Sequence, residues 1–256
     1  MKIELNSSKE GIIEYGGGQY PYRPLLEVLP YAHTGEEVNQ IRERFLRLYT
    51  ALIYDAMEEK GLPGRCMDSG VYPLVYGMKI AGPAFTTRRL STPATDDYTH
   101  NIRLALMKSM CEGCIYVSDV QGNRNCGQFG EITATAMRAR GCAGAVIDGS
   151  TRDSEKLIEM DFPTFVRFRN PVEGRGRSMT VEYMRPIFVN GIDGQLRVDP
   201  GDFIFGDYDG VVIVPRDRVL EILELAETWF ASEGRTRQAI ADGEDPLDVY
   251  NRYGRF

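Results

Sequence analysis

Residues 114–160 read CIYVSDVQGNRNCGQFGEITATAMRARGCAGAVIDGSTRDSEKLIEM, and this stretch decides the fold. CIYVSD (114–119) is a β-rich run, and GNRNCGQFG (122–130) is a glycine-rich loop. Glu131 to Arg140 reads as a helix stopped by Gly141. GAVID (144–148) is a second strand, followed by Gly149-Ser150-Thr151. Arg152-Asp153 then opens another helix, through about Met160. Strand, helix and strand in that order predict a right-handed crossover between two parallel strands. Ligands of open α/β sheets bind beyond the carboxyl ends of such strands. The glycine-rich loop leaves one of those ends, and Asp148–Asp153 leaves the other.

The chemistry follows from that placement. The loop delivers a helix N-terminus near residues 131–133, with unpaired N–H groups and positive dipole character suited to an anion. Arg152 stands beside it, and its planar guanidinium suits an anionic or keto oxygen. Asp153 supplies a hard oxygen ligand for Mg²⁺ or Mn²⁺. A metal and an arginine converging on one oxygen stabilise an enolate. Read without context, Arg-Asp is also what a solvated ion pair at a helix start looks like. A phosphate-binding P-loop is excluded, because no Gly-Lys-Ser/Thr follows the glycines.

Outward from this unit, Thr34-Gly-Glu-Glu37 has capping-box spacing and predicts a helix. Ile41, Phe45, Leu48, Leu52 and Ala56 continue its apolar face to a stop at Gly61, with Pro63 beyond. Asp55, near that face, is expected to be a buried carboxylate with a partner. Residues 71–90 read as one or two strands around Gly82-Pro83. Lys79 lies there, a placement open to Schiff-base chemistry but expected to be structural. A helix is expected at 97–111, and strands around FPTFVRF and PIFVNG. GDFIFGDYDGVVIVP (201–215) is the clearest hairpin, and an amphipathic helix follows over 216–233. The Gly, Tyr and Pro-rich residues 1–33 read as an irregular arm or edge strand, and the polar residues 234–256 as a weakly docked tail.

Composition narrows the function classes. The 256 residues suggest one domain with appendages, and 43% apolar with 26% charged residues is ordinary for a globular protein. No window approaches the roughly 18 consecutive apolar residues of a membrane span. The start MKIELNSSKEG lacks an apolar secretory core, so a cytoplasmic protein with no membrane partner is expected. A net charge of −7 argues against nucleic-acid binding. Arg167, Arg169, Arg175 and Arg177 are expected to be a solvated basic loop. Five cysteines in such a chain read as free thiols, and Cys111-x-x-Cys114 lacks the second pair of a zinc site. With only His33 and His100, a multi-histidine metal site is not expected.

The runs LYTALIYDAMEEKG (48–61), AGPAFTTR (81–88), FGEITATAMRARGCAGAVIDGSTRD (129–153) and VDPGDFIFGDYDGVVIVPRD (198–217) occur in the order of a known family. They resemble the regulator of ribonuclease activity A (RraA-like) and the 4-hydroxy-4-methyl-2-oxoglutarate / 4-carboxy-4-hydroxy-2-oxoadipate aldolases. The resemblance covers roughly residues 44–256. It sets out an arm over 1–43, an α/β catalytic domain over 44–233 and a tail over 234–256. It implies a β/β/α swivelling-domain fold, a three-layer sandwich assembled as a trimer or a hexamer with active sites between subunits. It also implies a class II metal-dependent aldolase that releases pyruvate and has side activity as an oxaloacetate decarboxylase.

The implied roles fall on residues already singled out. Arg152 holds the keto oxygen, Asp153 binds the metal partly through water, and amides of the Gly130-Glu131-Ile132-Thr133 turn take the carboxylate. Two positions depart from the signature. Glu131 stands where the aldolases have glycine, and Lys156 where they have an acidic residue, so Lys156 is expected to weaken metal binding by repulsion. The rival reading is a non-catalytic regulatory binding protein with a vestigial pocket.

Overall fold

In the computed structural model, which describes residues 2–5 and 11–254, the chain opens with β1 (Lys2–Leu5), β2 (Gly11–Tyr15) and β3 (Gly18–Tyr22). Next come α1 (Gly35–Leu46), α2 (Thr50–Glu59), β4 (Tyr72–Pro73), β5 (Ile80–Ser91) and α3 (Asp97–Ala105). The central unit is β6 (Ile115–Asp119), α4 (Glu131–Arg138), β7 (Gly144–Thr151) and α5 (Ser154–Glu159). Then follow β8 (Thr164–Arg169), β9 (Ser178–Tyr183), β10 (Ile187–Gly191), β11 (Gly194–Val198), β12 (Phe203–Asp207) and β13 (Gly210–Val214). The chain closes with α6 (Val219–Ala241) and α7 (Pro246–Tyr253). The parts of the expected arm and tail at 1, 6–10 and 255–256 lie outside the described residues.

The expected parallel pairing forms. β6 lies between β5 and β7, and β8 continues the parallel set beyond β7. β12 and β13 form the expected hairpin and add antiparallel to the first residues of β5. The sheet order is β13-β12-β5-β6-β7-β8-β4, with β9 on the far half of β5. The ends nearly meet. Residues 65–67 pair with β13 through Met67 N–H to Val211 O and Ile213 N–H to Arg65 O, both 2.9 Å, and β4 just beyond pairs with β8. The result is a nearly closed, barrel-like mixed sheet.

A close approach lies between β5 and the turn that leads into β6. Gly82 has φ +151°, and a Cβ there would lie 2.1 Å from the Gly113 carbonyl oxygen, so only glycine fits. Inside, Phe45 stacks on Phe203 at 4.3 Å between ring centroids. Phe129 lies between Tyr116 and Phe162, at 5.6 and 6.0 Å. Each such ring, fully buried, contributes about 1.5–3 kcal/mol. Phe129 therefore anchors the loop that leads to Gly130.

Several expectations change. The capping box at Thr34 and Glu37 is present, but the helix does not run unbroken to Gly61. It ends at Leu46, Tyr49 is extended, and α2 restarts at Thr50. Distant residues make the break. Lys79 Nζ donates to the carbonyls of Leu46 at 3.2 Å and Leu48 at 2.6 Å, closing the end of α1. Buried Asp207, from the hairpin, accepts from Thr50 N–H at 2.9 Å and from Thr50 Oγ1 at 2.5 Å, opening α2. Lys79 is thus structural. Asp55 is exposed rather than buried, because the apolar face passes to Leu52, Ile53 and Ala56.

The N-terminal arm is a three-stranded antiparallel meander, not irregular chain. Gly16 and Gly17, both at positive φ, make the two-residue turn between β2 and β3. α6 continues past residue 233 to Ala241, and α7 packs back on it. β9 and β11 are strands the sequence reading did not mark. The cysteines are free, as expected. Hydrogen bonds to the Cys111 and Cys142 thiols, together with burial, hold Cys114 well above the ordinary thiol range.

Asp207→Ala should destabilise the protein by about 2 kcal/mol, since it leaves the Thr50 and Asp209 amides without their acceptor. A urea titration followed by circular dichroism measures it, and an unchanged midpoint would remove Asp207 from the account of the helix break.

Candidate active site

The glycine-rich loop is laid along the end of β7 as if it were another strand. Arg152 N–H and Thr151 Oγ1 both donate to the Phe129 carbonyl, at 2.8 and 3.0 Å. Buried Gln128 accepts from Ser150 N–H at 2.8 Å and Ser150 Oγ at 2.6 Å, while its amide donates to the Asn123 carbonyl at 2.9 Å. Ser150 Oγ also lies 2.6 Å from the Cys126 carbonyl. The loop thus has a fixed shape that aims α4 at the carboxyl end of β7.

A cleft of about 520 Å³ opens there. Gly130, Ile132, Thr133, Arg152 and Asp153 line it, so five of the six residues singled out from sequence meet in one space. The sixth, Glu131, contributes its backbone N–H, which lies 3.4 Å from Asp153 Oδ2, while its side chain accepts from Thr135 Oγ1 at 2.9 Å. Gly130 is the N-cap of α4 and brings no capping side chain. Among the described residues, the Ile132 and Thr133 amides have no acceptor, as an anion site at a helix start requires.

Arg152 and Asp153 precede α5 rather than forming its first turn, which begins at Ser154. Asp153 is in the left-handed region, φ +56°, a conformation that aspartate tolerates better than most residues. It occupies the N-cap position yet makes no cap with its side chain. Its carboxylate turns instead to Arg152 Nε at 3.2 Å. The two Nη groups of Arg152 have no partner among the described residues. Gly127 and Gly130 allow this packing. A Cβ on Gly130 would lie 2.7 Å from Asp153 Oδ2 and 3.1 Å from Arg152 Cγ, and one on Gly127 would lie 2.9 Å from Arg152 Cβ.

Among the described residues, no three His, Cys, Asp or Glu side chains are grouped to cage a metal. Asp153 is about one-third exposed at the cleft. One carboxylate with the remaining positions left to water or substrate is a donor set that Mg²⁺ accepts. The residues present fit that kind of ion and not a protein-caged one. Lys156 does not line the cleft. Its ammonium pairs with Glu159 at 2.7 Å on the surface.

The sequence reading did not place the rest of the cleft lining. Arg89 from β5, His100 and Arg103 from α3, and Glu173 and Arg175 from the loop before β9 all face the same cleft. Nothing local in the sequence joins them, since three separate segments converge. The expected solvated loop also dissolves into distinct roles. Arg167 bridges Asp148 and Asp68 from within β8, Arg169 donates to the Leu74 carbonyl at 3.1 Å, and Arg175 reaches the cleft. Burial raises the Asp148 carboxyl, against the lowering effect of Asn190 N–H and Arg167.

Sheet, crossover and uncapped helix start define an RraA-type α/β protein, and the comparisons agree. The sequence profile described as RraA-like, Aldolase/RraA, matches residues 50–213, and the chain belongs to that family. It is 30% identical over 202 residues to protein DlpA of Legionella pneumophila, covering 78% of this chain and 32% of that protein, so it spans about a third of that relative's length. It is 28% identical over 210 residues to a provisionally named 4-hydroxy-4-methyl-2-oxoglutarate aldolase of Halalkalibacterium halodurans, covering 81% of this chain and 91% of the other. The solved structure of Streptomyces coelicolor RraAS2, described as an unusual member of the RNase ES inhibitor RraA family, superposes with a TM-score of 0.67 at 24% identity. The match covers 78% of this chain and 97% of that one, and it shares the fold. No helix among the described residues is long and apolar enough to cross a membrane.

Gly130→Ala should leave the fold intact, because the new Cβ meets only side-chain atoms of Asp153 and Arg152. It should displace that pair and lower ligand binding or turnover by about 10-fold or more, since displacements near 1 Å in a site can cost about 10²-fold. Thermal denaturation and a binding assay on the same preparation separate the two effects. A variant that binds as the wild type does would show that the close packing is incidental.

Proposed function

We propose that this chain is a divalent-metal-dependent carbon–carbon lyase that releases pyruvate from a small 2-oxo dicarboxylic acid such as 4-hydroxy-4-methyl-2-oxoglutarate or oxaloacetate. One observation carries the reading. Unpartnered amides of Ile132 and Thr133 in the first turn of α4 and the free Nη groups of Arg152 face one cleft, beside the Asp153 carboxylate. Among the described residues, that carboxylate does not cap its own helix α5 and accepts only from Arg152 and the Glu131 amide. Those are the parts needed to hold a 2-oxo acid by its carboxylate and its keto oxygen.

The amides of Ile132 and Thr133 bind the carboxylate next to the keto group. Arg152 donates to the keto oxygen. When the bond beyond C3 breaks, its electron pair moves onto C3 and spreads to the keto oxygen as an enolate. The guanidinium stabilises that charge more strongly in the transition state than in the ground state. From the hydroxy acid the released fragment leaves as a carbonyl compound once its C4 hydroxyl has given its proton to a base. From oxaloacetate the C4 carboxylate leaves as carbon dioxide, and in both cases C3 then takes a proton to give pyruvate. Asp153 would hold Mg²⁺ or Mn²⁺, which supplies Lewis-acid polarisation of the keto oxygen when bound. Asp97, His100 and Glu173 also line the cleft and are candidates for the base that moves these protons. The alternative of a regulatory binding protein would leave this cleft without a task.

Pyruvate release from both candidate substrates, read through lactate dehydrogenase, tests the reading. EDTA should abolish activity, and Mg²⁺ or Mn²⁺ should restore it. Arg152→Ala should lower kcat by about 10²–10³, with a stability change under about 0.5 kcal/mol. Arg152→Lys should fail nearly as badly, since an ammonium lacks the fork. A folded, fully active Arg152→Ala protein would overturn the assignment.

We also propose that the chain works as a homo-oligomer, a trimer or a hexamer. The family resemblance motivates this, and Ile132, which lines the cleft and is 80% exposed, is the residue another copy would cover. Light scattering at micromolar concentration should give a multiple of the 28.8 kDa chain, and a monomer would contradict the proposal.

A further inference from the structure

We infer that Arg89, Arg103 and Arg175 form an anion subsite in the same cleft as Arg152, which selects ligands carrying a second anionic group besides the 2-oxo acid. The inference rests on the reading of Arg152 and the start of α4 as a 2-oxo acid site, and it assigns the other cationic residues of the cleft.

Arg89 is a rigid, pre-aimed cation. It is only 7% exposed. Its Nε donates to Ser178 Oγ, its Nη1 to Thr180 Oγ1 and its Nη2 to the Ser178 carbonyl, each at 3.0 Å. A guanidinium carries five N–H donors, so further donors remain on a side chain that cannot swing away. All three acceptors are neutral, which leaves its charge unbalanced by any direct ion pair. Its Nη2 would lie 3.8 Å from a Cβ on Gly174, and that same Cβ would lie 3.4 Å from the Gly127 carbonyl, so bare backbone keeps this side of the guanidinium uncovered.

Arg103 is more telling. It projects from α3 and is partly buried, yet no hydrogen bond or ion pair joins it to another described residue. Burial, and then the charge of Arg89, lower its pKa, and Tyr116 and Glu173 oppose this more weakly. Two partly desolvated arginines that repel each other are costly unless something anionic visits. Arg175 adds an exposed third cation at the rim. Glu173 and Asp97 line the cleft too, but neither is within ion-pair distance of Arg89 or Arg103 among the described residues. In a chain of net charge −7, this concentration of positive charge is local to the cleft.

Calorimetric titration of the whole protein with uncleavable probes tests the assignment. The probes are 2-oxobutyrate, with one anionic group, 2-oxoglutarate, with a second carboxylate, and 3-phosphohydroxypyruvate, with a phosphate. The wild type should bind at least one dianionic probe about 10-fold or more tighter than 2-oxobutyrate, and the tighter of the two identifies the group. Arg103→Gln should weaken that probe by about 10- to 100-fold, the loss expected for charge-assisted hydrogen bonds. It should leave 2-oxobutyrate binding unchanged and should not lower the melting temperature of the free protein, and Arg103→Lys should restore part of the preference. A wild type without preference, or an Arg103→Gln protein that keeps it, overturns the subsite. If the preference depends on Arg103 but no 2-oxo acid is ever cleaved, the lyase reading fails and the subsite stands.

Discussion

The site depends on a hydrogen-bonded seam between the glycine-rich loop and the end of β7. Gln128 and Ser150 meet out of water, and the Phe129 carbonyl takes two donors from Thr151 and Arg152. An unmet polar group in that interior would cost about 1–3 kcal/mol, so the seam closes as a unit or not at all. Its closure sets the direction of α4 and the depth at which Arg152 leaves the strand. The aromatic stack through Phe129 holds it from beneath.

The barrel-like sheet serves this seam by stiffening its ends. β5 is long enough to pair with β12 over its first residues and with β6 and β9 over its last. Just ahead of β5, Lys79 fastens the end of α1, and near its far end Arg89 reaches the cleft. Helix packing on one side and cationic charge on the other therefore share one rigid strand.

How much of this was legible in the sequence depends on the range of each interaction. The strand–helix–strand unit, the capping box and the 201–215 hairpin were readable because periodicity and capping act within a few residues. Arg152, Asp153 and the turn at 130–133 were readable for the same reason, being consecutive exits from adjacent strands. The break between α1 and α2 was not, because Lys79 and Asp207 impose it from afar while the apolar spacing continues through it. Gly16-Gly17 did carry a hairpin signal, but few flanking residues alternate strongly enough to make it stand out. Arg89, Arg103 and Arg175 come from separate segments, and only the folded topology shows that they share a cleft.

The left-handed backbone at Asp153 acts as a filter on what can occupy that position. Asparagine keeps the conformation but discards the charge. Glutamate keeps the charge but gives up the backbone tolerance and overreaches by a methylene. Histidine, a common metal ligand elsewhere, adds a ring where Gly130 and Arg152 are already packed. Glycine relaxes the chain and supplies no ligand at all. Few single substitutions are therefore open at Asp153, whereas Arg103 and Arg175, which line the same cleft at negative φ, carry no such conformational restriction.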